Sequence, residues 1–279
     1  ELIRKFRPPF NVAMNRNKAA GFLVVTDERA PRLVSTAAPE RYRGRTYGPF
    51  PSRARTLDAA RVLADLLGIR DCRADMPVHY ADQQDLFSDP IRAACPRFDF
   101  GTCLGPCAGL VAEPAYRTRA DLAAAFCEGR SIAPIDRVVA SMTERADDGD
   151  FERAAYWRGK FESLEWLMAA VARSRASLEA LSFVYRDPGA RGDARAFVIV
   201  RGEVRACYPD PVSPIEREAF AGVVATELAK PPEPIGRVSP ERLHQRLLVM
   251  SWFRNRPNAW RWTVPLGEWG GMVIDDRRR

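Results

Sequence analysis

The chain has 279 residues, 46% of them hydrophobic, which is enough to bury more than one core, while no apolar run reaches the roughly 20 residues that a membrane-spanning helix needs. The formal net charge is +7, and residues 1–70 alone hold 14 Lys/Arg against 6 Asp/Glu, so the positive excess is clustered and points to a phosphate backbone as partner. Only Lys5, Lys18, Lys160 and Lys230 are lysines; the rest of the positive charge is guanidinium, which suits forked phosphate contacts, although an arginine-rich codon bias explains the choice of Arg over Lys equally well.

The first residue is Glu1 and no secretory leader is visible, so the sequence is expected to begin inside a longer, soluble, cytoplasmic gene product. Cytoplasmic thiols stay reduced, which leaves metal binding or simple burial for the six cysteines.

Taken in chain order, "ELIRKFRPPFNV" reads as a helix end stopped by Pro8-Pro9. "GFLVVTD" and "PRLVST" are β-branched runs that predict two strands, and "YGPFPS" reads as a turn-rich joint with little regular structure. From Arg55 to Gly68 the apolar residues Leu57, Ala60, Leu63, Ala64 and Leu67 recur at helical spacing, with Gly68 as C-cap. Residues 73–94 show no period and predict a long loop that needs something to tie it down. "LVAEPAYRTRADLAAAFCEG" predicts a helix up to Gly129.

A helical hairpin follows, with Ile135, Val138, Val139 and Met142 on one face, "DDGD" as the turn and Asp150 as N-cap of the second helix. "LSFVYRD" and "ARAFVIVRGEVRACYP" predict three strands with a hairpin turn at "RGE", and residues 214–229 and 239–254 predict helices. The fold class expected is therefore α+β.

"CPRFDFGTCLGPC" carries the chemistry. Seven residues separate Cys95 from Cys103 and three separate Cys103 from Cys107, while twenty-two separate Cys72 from Cys95. Gly105-Pro106 is a turn that brings Cys103 and Cys107 to one side. Four thiolates are the ligand count of a cubane iron–sulfur cluster or of a structural zinc, and only one pair has zinc-knuckle spacing. Burial without a metal remains the alternative for these four, and Cys127 and Cys207 read as ordinary core residues.

Cys72 after "GIRD", Cys95, and "TCLGPCAGLV" together resemble the cysteine-rich region of the UvrC family, the incision subunit of bacterial nucleotide excision repair. "LIRKFRPPFNV", "NRNKAAGFLVV", "PRL" and "YGPFPS" are similar to the end of that family's GIY-YIG nuclease domain, and "MTERADDGDFERAAYWRGKFESLEWL" resembles its UVR hairpin. The resemblance implies a 4Fe–4S cluster on Cys72, Cys95, Cys103 and Cys107, with zinc as the alternative. It implies docking of a UvrB-like subunit through Phe151, Glu152, Ala154, Ala155 and Arg158, and it makes Arg4, Lys5, Arg7, Arg16 and Lys18 the candidate DNA contacts.

The family's nuclease uses a divalent ion, Mg or Mn, with a glutamate that aligns two positions before Glu1; the tyrosine and arginine align further upstream, so Asn11 is the one active-site position that carries over. Glu1 itself reads as a helix-surface carboxylate, and His244 as a helix-surface histidine rather than a catalytic one. The expected organisation is 1–50 as the end of a GIY-YIG domain, 51–133 as an iron–sulfur module, 134–177 as a UVR-like hairpin and 178–279 as a degenerate α/β unit. Such a chain resembles either the short Cho-type homologues or proteins that fuse a DEDD exonuclease to GIY-YIG and UvrC-like modules. A non-catalytic adaptor stabilised by zinc or a cluster, binding DNA and a partner, is the rival reading. "WFRNRPNAWRW" reads equally as a base-stacking surface or as an amphipathic terminal element.

Overall fold

The computed structural model describes residues 21–83, 95–190, 192–231 and 240–269, in two compact units that divide between Ser174 and Arg175. The candidate DNA contacts Arg4, Lys5, Arg7, Arg16 and Lys18, together with Glu1 and Asn11, lie outside the described residues.

In the first unit the apolar run Gly21–Thr26 forms β1, buried along its whole length because it is the middle strand of three. β2 (Leu33–Thr36) and β3 (Gly44–Phe50) flank it, both antiparallel, so Val24 faces Val34 on one side and Thr46 on the other. β3 corrects the sequence reading of "YGPFPS" as an irregular joint. An edge strand needs only one hydrogen-bonding side, so Gly48 and Pro49 are accommodated where the register shifts between Gly21 and Leu23.

α1 (Arg53–Leu67) starts at Ser52, whose hydroxyl accepts the Arg55 N–H, and buries Ala59, Ala60, Leu63, Ala64, Leu66 and Leu67 over the sheet. The alanines let helix and sheet approach closely, and each fully buried leucine contributes about 2 kcal/mol. A four-residue helix, α2 (Pro96–Asp99), is followed by α3 (Glu113–Cys127), which buries Ala120, Ala123, Phe126 and Cys127 in the same core. α4 (Ala133–Asp147) and α5 (Phe151–Ala180) make the hairpin, and the Asp150 carboxylate accepts the Arg153 N–H at 3.1 Å as its N-cap. Val138, Leu164 and Leu167 of the hairpin are fully buried in the core that also holds Leu23 and Leu63.

In the second unit β4 (Phe183–Asp187), β5 (Arg195–Val200), β6 (Glu203–Pro209) and β7 (Thr263–Pro265) form one antiparallel sheet in the order β6-β5-β4-β7. Arg201 and Gly202, both at positive φ, turn β5 into β6. α6 (Pro214–Ala229) opens on a capping box between Ser213 and Glu216, and α7 (Pro240–Asn255) and the short α8 (Leu266–Trp269) complete the unit. Alternation along the strands feeds two cores: Phe183, Tyr185 and Ile199 pack with Val249 and Phe253 of α7, whereas Val184, Ala196 and Val198 pack with Phe220, Val224, Leu266 and Trp269. The sheet is thus covered on both faces. Cys207 is exposed near the end of the edge strand β6, which corrects its reading as a core residue; Cys127 is fully buried as expected. His244 is half-buried on α7 rather than fully on its surface.

Candidate metal centre

Cys72 is delivered by the end of α1. Gly68 adopts the left-handed conformation, φ 70°, and Ile69 closes the helix by donating its N–H to the Ala64 carbonyl at 2.9 Å. A side chain at Gly68 would also strike Leu104, whose Cγ would lie 2.6 Å from the added Cβ. Leu104 in turn donates its N–H to the Gly68 carbonyl at 2.9 Å, which joins the helix end to the loop between Cys103 and Cys107.

Cys95 caps α2, its carbonyl accepting the Phe98 N–H at 3.0 Å. The Gly105-Pro106 turn follows, with Gly105 at φ 67° and the Pro106 carbonyl accepting the His79 N–H at 2.8 Å. Cys72, Cys95, Cys103 and Cys107 then line a single cavity of about 60 Å3, walled also by Arg70, Arg97, Met76 and Phe98. All four are half-buried free thiols.

Two arginines, neither singled out by the sequence, fix this geometry. The Arg70 guanidinium is buried and donates to the Ala30 carbonyl (2.9 Å), the Glu28 carboxylate (2.9 Å), the Arg73 carbonyl (3.2 Å) and the Cys72 sulfur (3.4 Å). Glu28 also accepts from Arg32, which donates to the Cys72 carbonyl at 3.0 Å. Arg97 spans Asp65 (2.5 Å), the Ile69 carbonyl (3.1 Å), the Thr102 carbonyl (2.9 Å) and Asp71 (2.8 Å). The Tyr116 hydroxyl accepts the Arg70 N–H at 2.9 Å and donates to the Pro31 carbonyl at 2.9 Å. An arginine clamp depends on partners far away in sequence, and the one local signal was arginine beside the cysteines in "GIRDC" and "CPRF".

Burial is the largest influence on the thiols of Cys103 and Cys107 and pushes both upward; the neighbouring cysteines add to this, while Arg97 at Cys103 and Arg70 at Cys107 oppose it. A metal reverses that balance by stabilising the thiolate. Four sulfurs around one zinc would stand about 3.8 Å apart, given zinc–sulfur bonds of roughly 2.3 Å, whereas in a cubane cluster each thiolate binds its own iron and the four stand farther apart. Among the described residues, no three His, Cys, Asp or Glu side chains are grouped to hold a single ion. The four cysteines line one cavity.

Phe151, Glu152, Ala154, Ala155 and Arg158 sit apart from this cavity, on the first turns of α5. Phe151 is 73% exposed, and Arg158 pairs with Glu162 at 3.1 Å. Ala155 is exposed and Ala154 is half-buried.

Residues 21–126 match the family model of the UvrC/Cho excinuclease middle domain. The chain is also similar to UvrC proteins beyond that stretch. Among its UvrC relatives, the UvrABC system protein C of Desulforudis audaxviator is 28% identical over 98% of this chain and 40% of its own length. That of Desulfitobacterium hafniense is 32% identical over 59% of this chain and 24% of its own length, and that of Pseudoalteromonas atlantica is 27% identical over 66% and 29%. The chain thus spans well under half the length of these UvrC proteins. No solved structure matches it. The matched stretch starts at the first residue of β1 and ends in the last turn of α3, and the apolar core from Leu23 to Phe126 runs through it.

Proposed function

We propose that this chain is part of a UvrC-type excinuclease acting in nucleotide excision repair, and that it supplies a structural iron–sulfur module, DNA contact and a docking hairpin for a UvrB-type subunit. The observation that supports this most is the convergence of Cys72, Cys95, Cys103 and Cys107 on one cavity inside the stretch that matches the UvrC/Cho middle domain. Four thiols on one cavity supply the ligand count of a 4Fe–4S cluster, and only Cys103 and Cys107 have the close spacing of a zinc knuckle. The cluster would act there as a cross-link between chain segments, and Arg70 and Arg97 hold those segments in register.

The hairpin reading is supported by aromatic side chains that remain exposed among the described residues. Phe151 and Tyr156 are both exposed near the start of α5, beside Lys160, whose Nζ lies 4.6 Å from the Tyr156 and Trp157 ring centroids. A buried aromatic anchor with a charged rim is a common arrangement at partner interfaces. The cutting residues belong, on this reading, to the longer gene product, with a divalent ion in its nuclease domain.

Anaerobic purification followed by iron, sulfide and zinc analysis tests the cluster: roughly four irons and four sulfides per chain are expected. Zinc without sulfide would overturn the assignment. Incision of a lesion-bearing duplex by the full-length gene product, with its UvrA- and UvrB-type partners, tests the repair role. A full-length product that binds the partner and DNA but never cuts would leave a non-catalytic adaptor.

A further inference from the structure

Residues 242–267 contain five arginines and no aspartate or glutamate. Arg246, and at longer range Arg242, turn to Glu203, which leaves Arg254, Arg256 and Arg261. All three are exposed, and none has an ion pair among the described residues. They surround an aromatic surface. Trp260 rests on Phe253 and Phe183, with centroids 4.7 and 5.4 Å away, yet remains 42% exposed, and Trp262 is 39% exposed. The Arg256 guanidinium lies 3.8 Å from the Trp252 ring centroid, and that of Arg261 lies 5.2 Å from Trp262.

From this arrangement we infer that residues 252–262 form a binding platform for single-stranded nucleic acid. The chemistry is specific to that class. Half-exposed indole rings offer faces on which unpaired bases stack, and guanidinium groups stacked on the same rings both extend the stack and meet the backbone phosphates. A duplex keeps its bases paired and presents no free faces, so it would use the arginines alone. Trp260 is rigidly backed by the core formed by Phe183 and Phe253, and the turn Pro257–Trp262 links α7 to β7, so the platform is preformed. It lies outside residues 21–126 and does not depend on the function proposed above.

The test uses the whole chain and a fluorescein-labelled oligothymidylate of about 20 nucleotides, long enough for one such site, read by polarisation and by quenching of tryptophan emission. The expected result is quenching by the single strand and weaker binding of the matching duplex. Trp262→Ala is expected to lower single-strand affinity about tenfold, one stacked base being lost. Arg256→Gln with Arg261→Gln is expected to flatten the salt dependence while circular dichroism stays unchanged. Equal binding of duplex and single strand, or single-strand binding that neither variant alters, would overturn the inference. So would tighter binding to phosphatidylglycerol-containing vesicles than to oligothymidylate, since arginine and tryptophan also suit an anionic lipid surface. Trp260→Ala is avoided because that ring is part of the core.

Discussion

The Arg97 guanidinium lies 2.8 Å from the Asp71 carboxylate, and this contact joins the residue before Cys72 to a helix that starts next to Cys95. It links two positions with twenty-five residues between them in sequence. Arg97 is only partly exposed and serves two carboxylates and two carbonyls, so Arg97→Met leaves all four without their donor. A loss of about 2 kcal/mol is expected, toward the low end for a partly buried pair because the site is partly hydrated. Thermal denaturation of the purified variant measures it, and a change below about 0.5 kcal/mol would mean that the clamp is dispensable.

Gly68→Ala tests the join between α1 and the cysteine loop. The left-handed conformation costs an alanine about 1 kcal/mol, and the contact with Leu104 adds to it. Combining it with Leu104→Ala should recover the steric part and leave the conformational part. Denaturant midpoints of the two single variants and the double variant separate them, and simple additivity would show that the two residues do not meet.

Cys103→Ser is expected to loosen the segments around the cavity, residues 71–83 and 95–111, without opening α1. The small cluster of Ala30, Tyr80 and Tyr116 beside these segments is separate from the main core. Hydrogen exchange followed by mass spectrometry reads each segment. Uniform loss of protection, α4 and α5 included, would mean that the cavity and the core unfold as one.

Alkaline pH is expected to destabilise the first unit. The Tyr47 hydroxyl donates to the Glu128 carboxylate at 2.9 Å, and burial, with that carboxylate, pushes its ionisation well above the ordinary value of 10.0; burial likewise raises Tyr116. A raised tyrosine keeps its proton in the folded state after the unfolded chain has released it. Stability is therefore full below pH 10 and falls as pH rises beyond it. Tyr47→Phe should make that fall shallower, at a cost of about 1 kcal/mol at neutral pH for the lost hydrogen bond. Urea midpoints against pH for both proteins check the sign.

Phe151→Ala is expected to leave stability unchanged, because the ring is already largely in water, and to weaken binding of a UvrB-type subunit about tenfold or more. Isothermal titration with that subunit decides; unchanged affinity would remove Phe151 from the interface.

Local signals carried much of this structure. The apolar runs of β1 and β2, the periodic leucines of α1, the Asp150 cap and the "RGE" turn each act within a few residues, and each appears where the sequence placed it. β3 was hidden because Gly48 and Pro49 argue against a strand unless the strand lies at an edge, and edge position is a property of the whole sheet. Cys207 misled for a related reason: its strand is an outer one whose final residues leave the covered area. The four cysteines were legible through their spacing and the Gly105-Pro106 turn. Arg70 and Arg97 were not, because their partners at Glu28, Ala30 and Asp65 lie dozens of residues away.

Tyr116 and Arg70 tie the start of the cysteine segment to the β1–β2 loop through groups that involve no cysteine at all. That anchor braces the chain just before Cys72, so the loss of a thiol is felt in the segments that follow it and not at the anchor itself.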